Sequence, residues 1–260
     1  MITSIGALFT MASTGMLANQ MRMDVIADNL SNAHTTGFKN RDVQFSEALM
    51  IATQDGEENV MAHGARVLSV TADHTQGSLS PSDQSWHMAI EGPGFFEIRL
   101  PDGTTAYTRD GHFQVDAAGQ LVTTAGYPLA DPVTIPQDAD GVTVNPDGTL
   151  FAQVTFTDDD NHRVTENREI GRIGLVGFRN PQGLDRIGGN LYLPTAASGP
   201  AVRGVENLVG EIIGSALESS NVNMVDEMTN LVSAQRAYSV CTRLMHTVDE
   251  MVRGAHEMIR

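Results

Sequence analysis

Lysine occurs once in these 260 residues, at Lys39, and that scarcity removes whole classes of chemistry. A P-loop, a pyridoxal Schiff base and a Ser-x-x-Lys site each need a lysine in a particular setting. Thr36-Gly37-Phe38-Lys39 fits none of them. Cysteine also occurs once, at Cys241, which excludes an intrachain disulfide framework and a zinc site built on cysteine pairs. The eight histidines show no His-x-x-x-His or His-Glu-x-x-His spacing. Basic side chains are few, 16 against 32 acidic ones, and the formal charge is -16. Such a surface cannot neutralise phosphate, so neither nucleic acid nor an anionic membrane surface is expected as a partner. Acidity alone names no partner and first serves solubility. No window holds eighteen uninterrupted apolar residues, so no transmembrane helix is expected.

Charge is missing altogether from the first 21 side chains. There is no basic leader, and Thr3, Ser4, Thr10, Ser13 and Thr14 interrupt any apolar signal core. The segment therefore reads as mature structure, and departure from the cytoplasm would use another route than a cleaved signal peptide. Steps of four and three from Ile5 land on Phe9, Ala12, Met16, Asn19, Met23, Ile26, Leu30 and Ala33, all apolar except Asn19. A 3.5-residue repeat is the seam of a long helix that pairs with another helix. It should start near Ser4 as a cap and end before Gly37. Gly6 and Gly15 inside it each cost roughly 1 kcal/mol relative to alanine. Its small, uncharged residues predict contact on several faces. Asn19 has two readings here: a buried amide that fixes register, or an edge residue that meets water.

The helical period fades after residue 40. A short helical extension to about Met50 and then a connecting segment, 46–65, carrying Asp55-Gly56-Glu57-Glu58, are expected. From Arg66 the texture turns to alternation with turn signals. Strand candidates are 66–71, 87–90, 95–100, 105–109, 113–115, 120–123, 133–135, 142–144, 150–157, 173–178 and 191–193. Pro101-Asp102-Gly103 and Asn145-Pro146-Asp147-Gly148 are turns, and Asp158 to Asn161 reads as another. This pattern predicts an all-β middle domain, a sandwich or an irregular barrel.

The helical period returns from Asn221. Its stripe runs Leu231, Ala234, Tyr238, Cys241, Met245, Val248, Val252, Ala255 and Ile259, widened by Val225, Val232, Leu244, Met251 and Met258. That exceeds the need of one seam with one partner. Ser219, Ser220, Asn221 and Asn223 offer caps. The expected fold is α+β. Residues 1–45 and 218–260 form a discontinuous, coiled-coil-like helical domain, and 66–217 form the β-rich domain. Ten of the thirteen methionines lie in the terminal segments, as an adaptable contact surface requires.

No catalytic constellation emerges, and no cofactor or metal is expected. Asp158-Asp159-Asp160 lacks the spaced ligands of a calcium loop. Gly92-Pro93-Gly94-Phe95 lacks the third glycine and the βαβ setting of a dinucleotide fingerprint. Asp226-Glu227 and Asp249-Glu250 are adjacent on a helix and do not face each other.

Several stretches resemble a known family in order along the chain. Asp24-Val-Ile-Ala-Asp-Asn-Leu-Ser-Asn-Ala-His-Thr-Thr-Gly-Phe-Lys39 is similar to the N-terminal signature of bacterial flagellar rod and hook proteins, through Asn29, Asn32, Thr35, Gly37 and Phe38. Gly92-Pro-Gly-Phe-Phe96, with Gly94 and Phe95, then Tyr107-Thr-Arg-Asp-Gly111 and Gly119-Gln-Leu-Val-Thr123, resemble the start of the family's β domain. Asn180-Pro-Gln-Gly-Leu184 and Gly189-Asn-Leu-Tyr192 fit as well. Leu217-Glu-Ser-Ser-Asn-Val-Asn223, with Asn221 and Val222, and Gln235-Arg-Ala-Tyr238, with Gln235 and Arg236, resemble its C-terminal signature. Asp28 and Ser31 stand where Asn and Ala are usual, Ser239-Val-Cys-Thr242 replaces Glu-x-Asn-Ser, and the stretch from Phe45 to Gly92 is short. The similarity leans to the distal rod type, with the proximal rod type as rival. The longer hook type has an extra outer domain for which this chain has no room. The resemblance implies an axial structural protein, not an enzyme. Such a protein is exported unfolded by the flagellar export apparatus and polymerises helically in the rod that crosses the periplasm. Its partners would be further copies of itself, other rod and hook proteins, and the basal-body rings. The assembly contacts would come from Ile5, Phe9, Met16, Asn19, Met23, Ile26, Leu30, Leu231, Tyr238, Met245, Val248 and Val252. A secreted binding module is the alternative of a different class.

Overall fold

The computed structural model describes residues 2–54, 57–136, 138–157, 163–204 and 208–258. The chain is α+β, with a helix at each end of a β-rich middle. It forms two compact units. One gathers Met1–Ala33, Asn40–Asp73 and Val222–Arg260, and the other gathers His34–Lys39 and His74–Asn221.

In the first unit, α1 (Ile2–Ser31) begins ahead of the expected cap, so Ser4 lies inside the helix. Its end is closed by Asn32, whose backbone N–H and side-chain amide both donate to the Asp28 carbonyl, at 3.1 and 2.8 Å. The expected helical extension to Met50 and the connecting segment after it are instead β1 (Arg41–Gln54), paired antiparallel with β2 (Glu57–Ala72). The local preference of Glu47-Ala48-Leu49-Met50 for helix is overridden, because β2 offers a ladder running from Arg41↔Ala72 to Gln54↔Glu57. The C-terminal helix α2 (Met224–Met258) starts at Asn223, one of the four expected caps. Asn223 Oδ1 accepts the Val225 N–H at 3.1 Å, and Asp226 and Glu227 add favourable charge in the first turn. α1 packs against α2 on one side and against the β1–β2 hairpin on another.

The second unit is built from short strands. They are β3 (Leu79–Pro81), β4 (Met88–Glu91), β5 (Phe95–Arg99), β6 (Thr105–Thr108), β7 (Phe113–Val115), β8 (Leu121–Thr123), β9 (Ala139–Val144), β10 (Thr149–Thr157), β11 (Arg163–Arg172), β12 (Leu175–Gly177), β13 (Asp185–Gly188), β14 (Leu191–Leu193), β15 (Val202–Arg203), β16 (Glu211–Gly214) and β17 (Ala216–Glu218). Six form a sheet in the order β13-β14-β6-β5-β12-β15, and three form another, β11-β10-β9. The pairs β16-β4, β17-β3 and β7-β8 complete the ladders. Both expected turns are present, closed by Leu100 N–H to Thr104 O and Asn145 N–H to Thr149 O, each 2.9 Å. Segment 133–135 makes only an isolated bridge at Thr134, although Val133 is in the core. The expected turn at Asp158 to Asn161 lies outside the described residues.

The core of this unit is Met88, Ile90, Phe96, Ile98, Phe113, Leu121, Leu150 and Ile212, all fully buried. Beside it Phe95, Tyr107, Phe178 and Tyr192 make an edge-to-face aromatic cluster.

Candidate functional site

Two surfaces carry the residues singled out from the sequence. The first is the helical unit. On α1, Ile26 is buried and Met16, Asn19, Met23 and Leu30 are half-buried, whereas Phe9 is 52% exposed. Ile5 lies in α1, but its side chain is outside the described set. On α2, Val248 is buried, Leu231, Tyr238 and Met245 are half-buried, and Val252 is 45% exposed. The helices touch where Thr242 Oγ1 lies 3.9 Å from Met16 Sδ. There a Cβ added to Gly15 would sit 3.1 Å from Cys241 Sγ. Asn19 donates its amide to the Gly15 carbonyl of its own helix at 2.8 Å, so in this chain it bonds backward along α1.

Apolar rows remain uncovered on both helices. Leu8, Phe9, Met11, Leu17 and Met21 on α1, and Val225, Met228, Val232, Val240, Leu244 and Met251 on α2, are each more than a third exposed. Gln235 and Arg236 lie among them, also exposed.

A second buried line on α1, which the single seam does not contain, runs Ala18, Val25 and Asn29. Its signal in the sequence is another seven-residue spacing, Ala18 to Val25. Asn29 secures the hairpin: its Nδ2 donates to Asn40 Oδ1 (2.7 Å) and Arg41 O (2.8 Å), and its Oδ1 accepts Arg41 N–H (3.0 Å).

The other surface lies inside the β-rich unit, where the remaining signature residues converge on a buried charge cluster. Lys39 Nζ donates to Glu218 Oε1 and to Thr75 O, each at 2.6 Å. Glu218 Oε1 also accepts Gly77 N–H at 2.9 Å, and its Oε2 lies 3.4 Å from Arg109 Nη1. Arg109 continues to Gly92 O at 2.7 Å and stacks over Phe95. Burial pulls its guanidinium below the usual arginine range, against the opposing pull of Glu218 and Tyr192. Gly37 has φ +65°, and its N–H donates to Glu218 O at 2.8 Å. A Cβ there would fall 2.5 Å from Asp110 N, so this close approach requires glycine. Phe38 is buried beneath Arg186, and the Thr35 carbonyl accepts the Phe38 N–H at 3.3 Å. Gly94 and Phe95 are buried, and Asn221 Nδ2 reaches Thr75 Oγ1 at 3.0 Å. Val222 is half-buried and belongs to the helical unit. Sequence reasoning missed the role of Arg109 and Glu218, although both sit inside quoted motifs and Lys39 is the lone lysine.

Among the described residues no helix is long and apolar enough to cross a membrane, and no group of three acidic, histidine or cysteine side chains is placed for a metal ion. Helices that pack together and still present apolar rows mark a protein built for association.

Comparison with known proteins names the family. Residues 9–39 match the family described as flagella basal body rod protein, 89–152 the flagellar hook protein FlgE/F/G D1 domain, and 213–256 the flagellar basal body rod FlgEFG protein C-terminal. The flagellar basal-body rod protein FlgG of Borreliella burgdorferi is 36% identical over 270 residues, covering 98% of each chain. FlgG of Buchnera aphidicola subsp. Schizaphis graminum is 36% identical over 260 residues, 95% of this chain and 97% of the relative. The rod protein FlgF of Caulobacter vibrioides is 34% identical over 243 residues, 91% of each. The chain belongs to the flagellar basal-body rod protein family.

Proposed function

We propose that the chain is a structural subunit of the bacterial flagellar rod that polymerises helically through its terminal helices and carries torque from motor to hook. The observation that carries this reading is the pair of uncovered apolar rows on α1 and α2. Heterologous contacts that do not close into a ring build such a filament. The helix pairing is coiled-coil-like. Glu227, Ala234, Cys241 and Val248 recur every seven residues, as do Leu231, Tyr238, Met245 and Val252, and Ala12, Met16, Asn19, Met23, Ile26 and Leu30 keep the matching spacing on α1. The similarity to FlgG proteins over nearly the whole length supports the distal rod position. Neighbouring copies, other rod and hook proteins, the surrounding rings and the export apparatus are its partners, and its place is the basal body. No catalytic step is assigned to it.

Electron microscopy of the purified chain under polymerising conditions tests this. Straight tubes are expected. Leu17→Arg and Val240→Arg, both on exposed positions, should stay folded and lose the tubes. Wild-type monomers that bind a saturable ligand but never polymerise would replace the rod reading with that of a binding module. Tubes that persist in chains lacking residues 1–39 or 222–260 would overturn assembly through the helices.

A further inference from the structure

The β-rich unit holds a pair of imidazoles that the rod reading leaves unused. His87, just before β4, is 7% exposed, and its ring centroid lies 4.5 Å from that of the half-buried His112. His87 Nδ1 is 2.7 Å from Ser82 Oγ, and His112 Nδ1 is 3.2 Å from Thr124 Oγ1. The rings flank a tight crossing of two chain segments. Met88 N–H donates to Gly111 O at 3.1 Å, and a Cβ on Gly111 would fall 1.5 Å from Met88 O. Asp110 borders the pair. Its Oδ1 accepts the His112 backbone N–H at 3.0 Å and the Thr36 hydroxyl at 2.7 Å. The charged or titratable groups acting on His87 are His112, which opposes a proton there, and Asp110, which favours one.

We propose that His87 and His112 form an acid-sensitive clasp: with His87 neutral the paired rings hold β4 and segment 34–39 in place, and a proton on His87 loosens both. Two rings this close cannot both be charged without repulsion. A proton on His87 is also drawn to the Asp110 carboxylate, which accepts the Thr36 hydroxyl and so ties segment 34–39 to this crossing. Burial first, and His112 second, hold His87 below the ordinary histidine range, with Asp110 opposing them. Between that lowered value and the unfolded value, about 6.5, the unfolded chain binds more protons than the folded one. The stabilisation is therefore complete above this window and is lost as pH falls through it. The clasp lies within the β-rich unit and stands whether or not the chain polymerises.

Hydrogen exchange of the dilute full-length chain at pH 7.5 and 5.5, scaled for the intrinsic rate, tests it. Segments 34–39 and 87–91 of the wild type should lose protection by about tenfold at pH 5.5. The double variant His87→Gln, His112→Gln should show no such loss. Equal protection of the wild type at both pH values, or an equal loss in the variant, overturns the clasp. If the variant does not fold, NMR titration of the wild-type imidazoles decides: His87 titrating below the ordinary histidine value supports the clasp, and titration at or above it refutes it.

Discussion

Asn29 illustrates how one side chain joins two elements. The residue is 1% exposed, and its amide makes two hydrogen bonds to Arg41, the first residue of β1, and one to Asn40 before it. Asn29→Ala leaves the Arg41 N–H without its partner and should cost about 2–3 kcal/mol in urea denaturation. The Lys39–Glu218–Arg109 cluster is more sensitive. Glu218→Gln strands two buried cations and should cost about 3–5 kcal/mol, whereas replacing all three with apolar residues of similar volume should restore much of the loss. Gly37→Ala should destabilise by more than about 1 kcal/mol, because it meets both a left-handed φ and the Asp110 backbone. Nothing local in the sequence announces these partners. Residues 39, 109 and 218 are far apart in the chain, and neither the lone lysine nor the motifs that contain Arg109 and Glu218 say that the three meet.

Among the elements, legibility followed how much of the pattern was local. The two helices were readable because their periods run over many turns, although α1 began earlier than its expected cap. The two turns with Pro-Asp-Gly were readable because their chemistry is complete within four residues. The β1–β2 hairpin was not, since the helix-forming run in β1 is overruled by a partner strand some thirty residues on at its widest. β11 was also missed. Its Arg163-Val-Thr-Glu-Asn-Arg-Glu run places charge where a strand is expected to be apolar, as suits an edge strand in a sheet ordered β11-β10-β9. The helix pairing makes its own prediction. Gly15→Leu should lower stability by about 1–3 kcal/mol by pressing on Cys241, and Cys241→Ala in the same chain should relieve part of it. A double-mutant cycle measures that coupling.

Over the whole molecule, the terminal segments return to one unit while most of the middle forms the other. We propose that these correspond to a helical assembly domain, which the sequence bounded at 1–45 with 218–260, and a β-rich domain bounded at 66–217. The β1–β2 hairpin falls in the same unit as the helices. Lowering the pH from 7.5 to 5.5 should move the melting of the β-rich unit more than that of the helical unit, because the His87–His112 pair lies in the former; calorimetry of the wild type and the double variant checks this.

The burial of Lys39 has one more consequence. Its side chain is wholly shielded, and the chain contains no other lysine. Amine-directed acylating reagents and aldehyde cross-linkers therefore find no lysine on the folded surface. A mass shift at Lys39 becomes a one-residue report that the β-rich unit has opened, readable even inside a mixture of assembled and free chains.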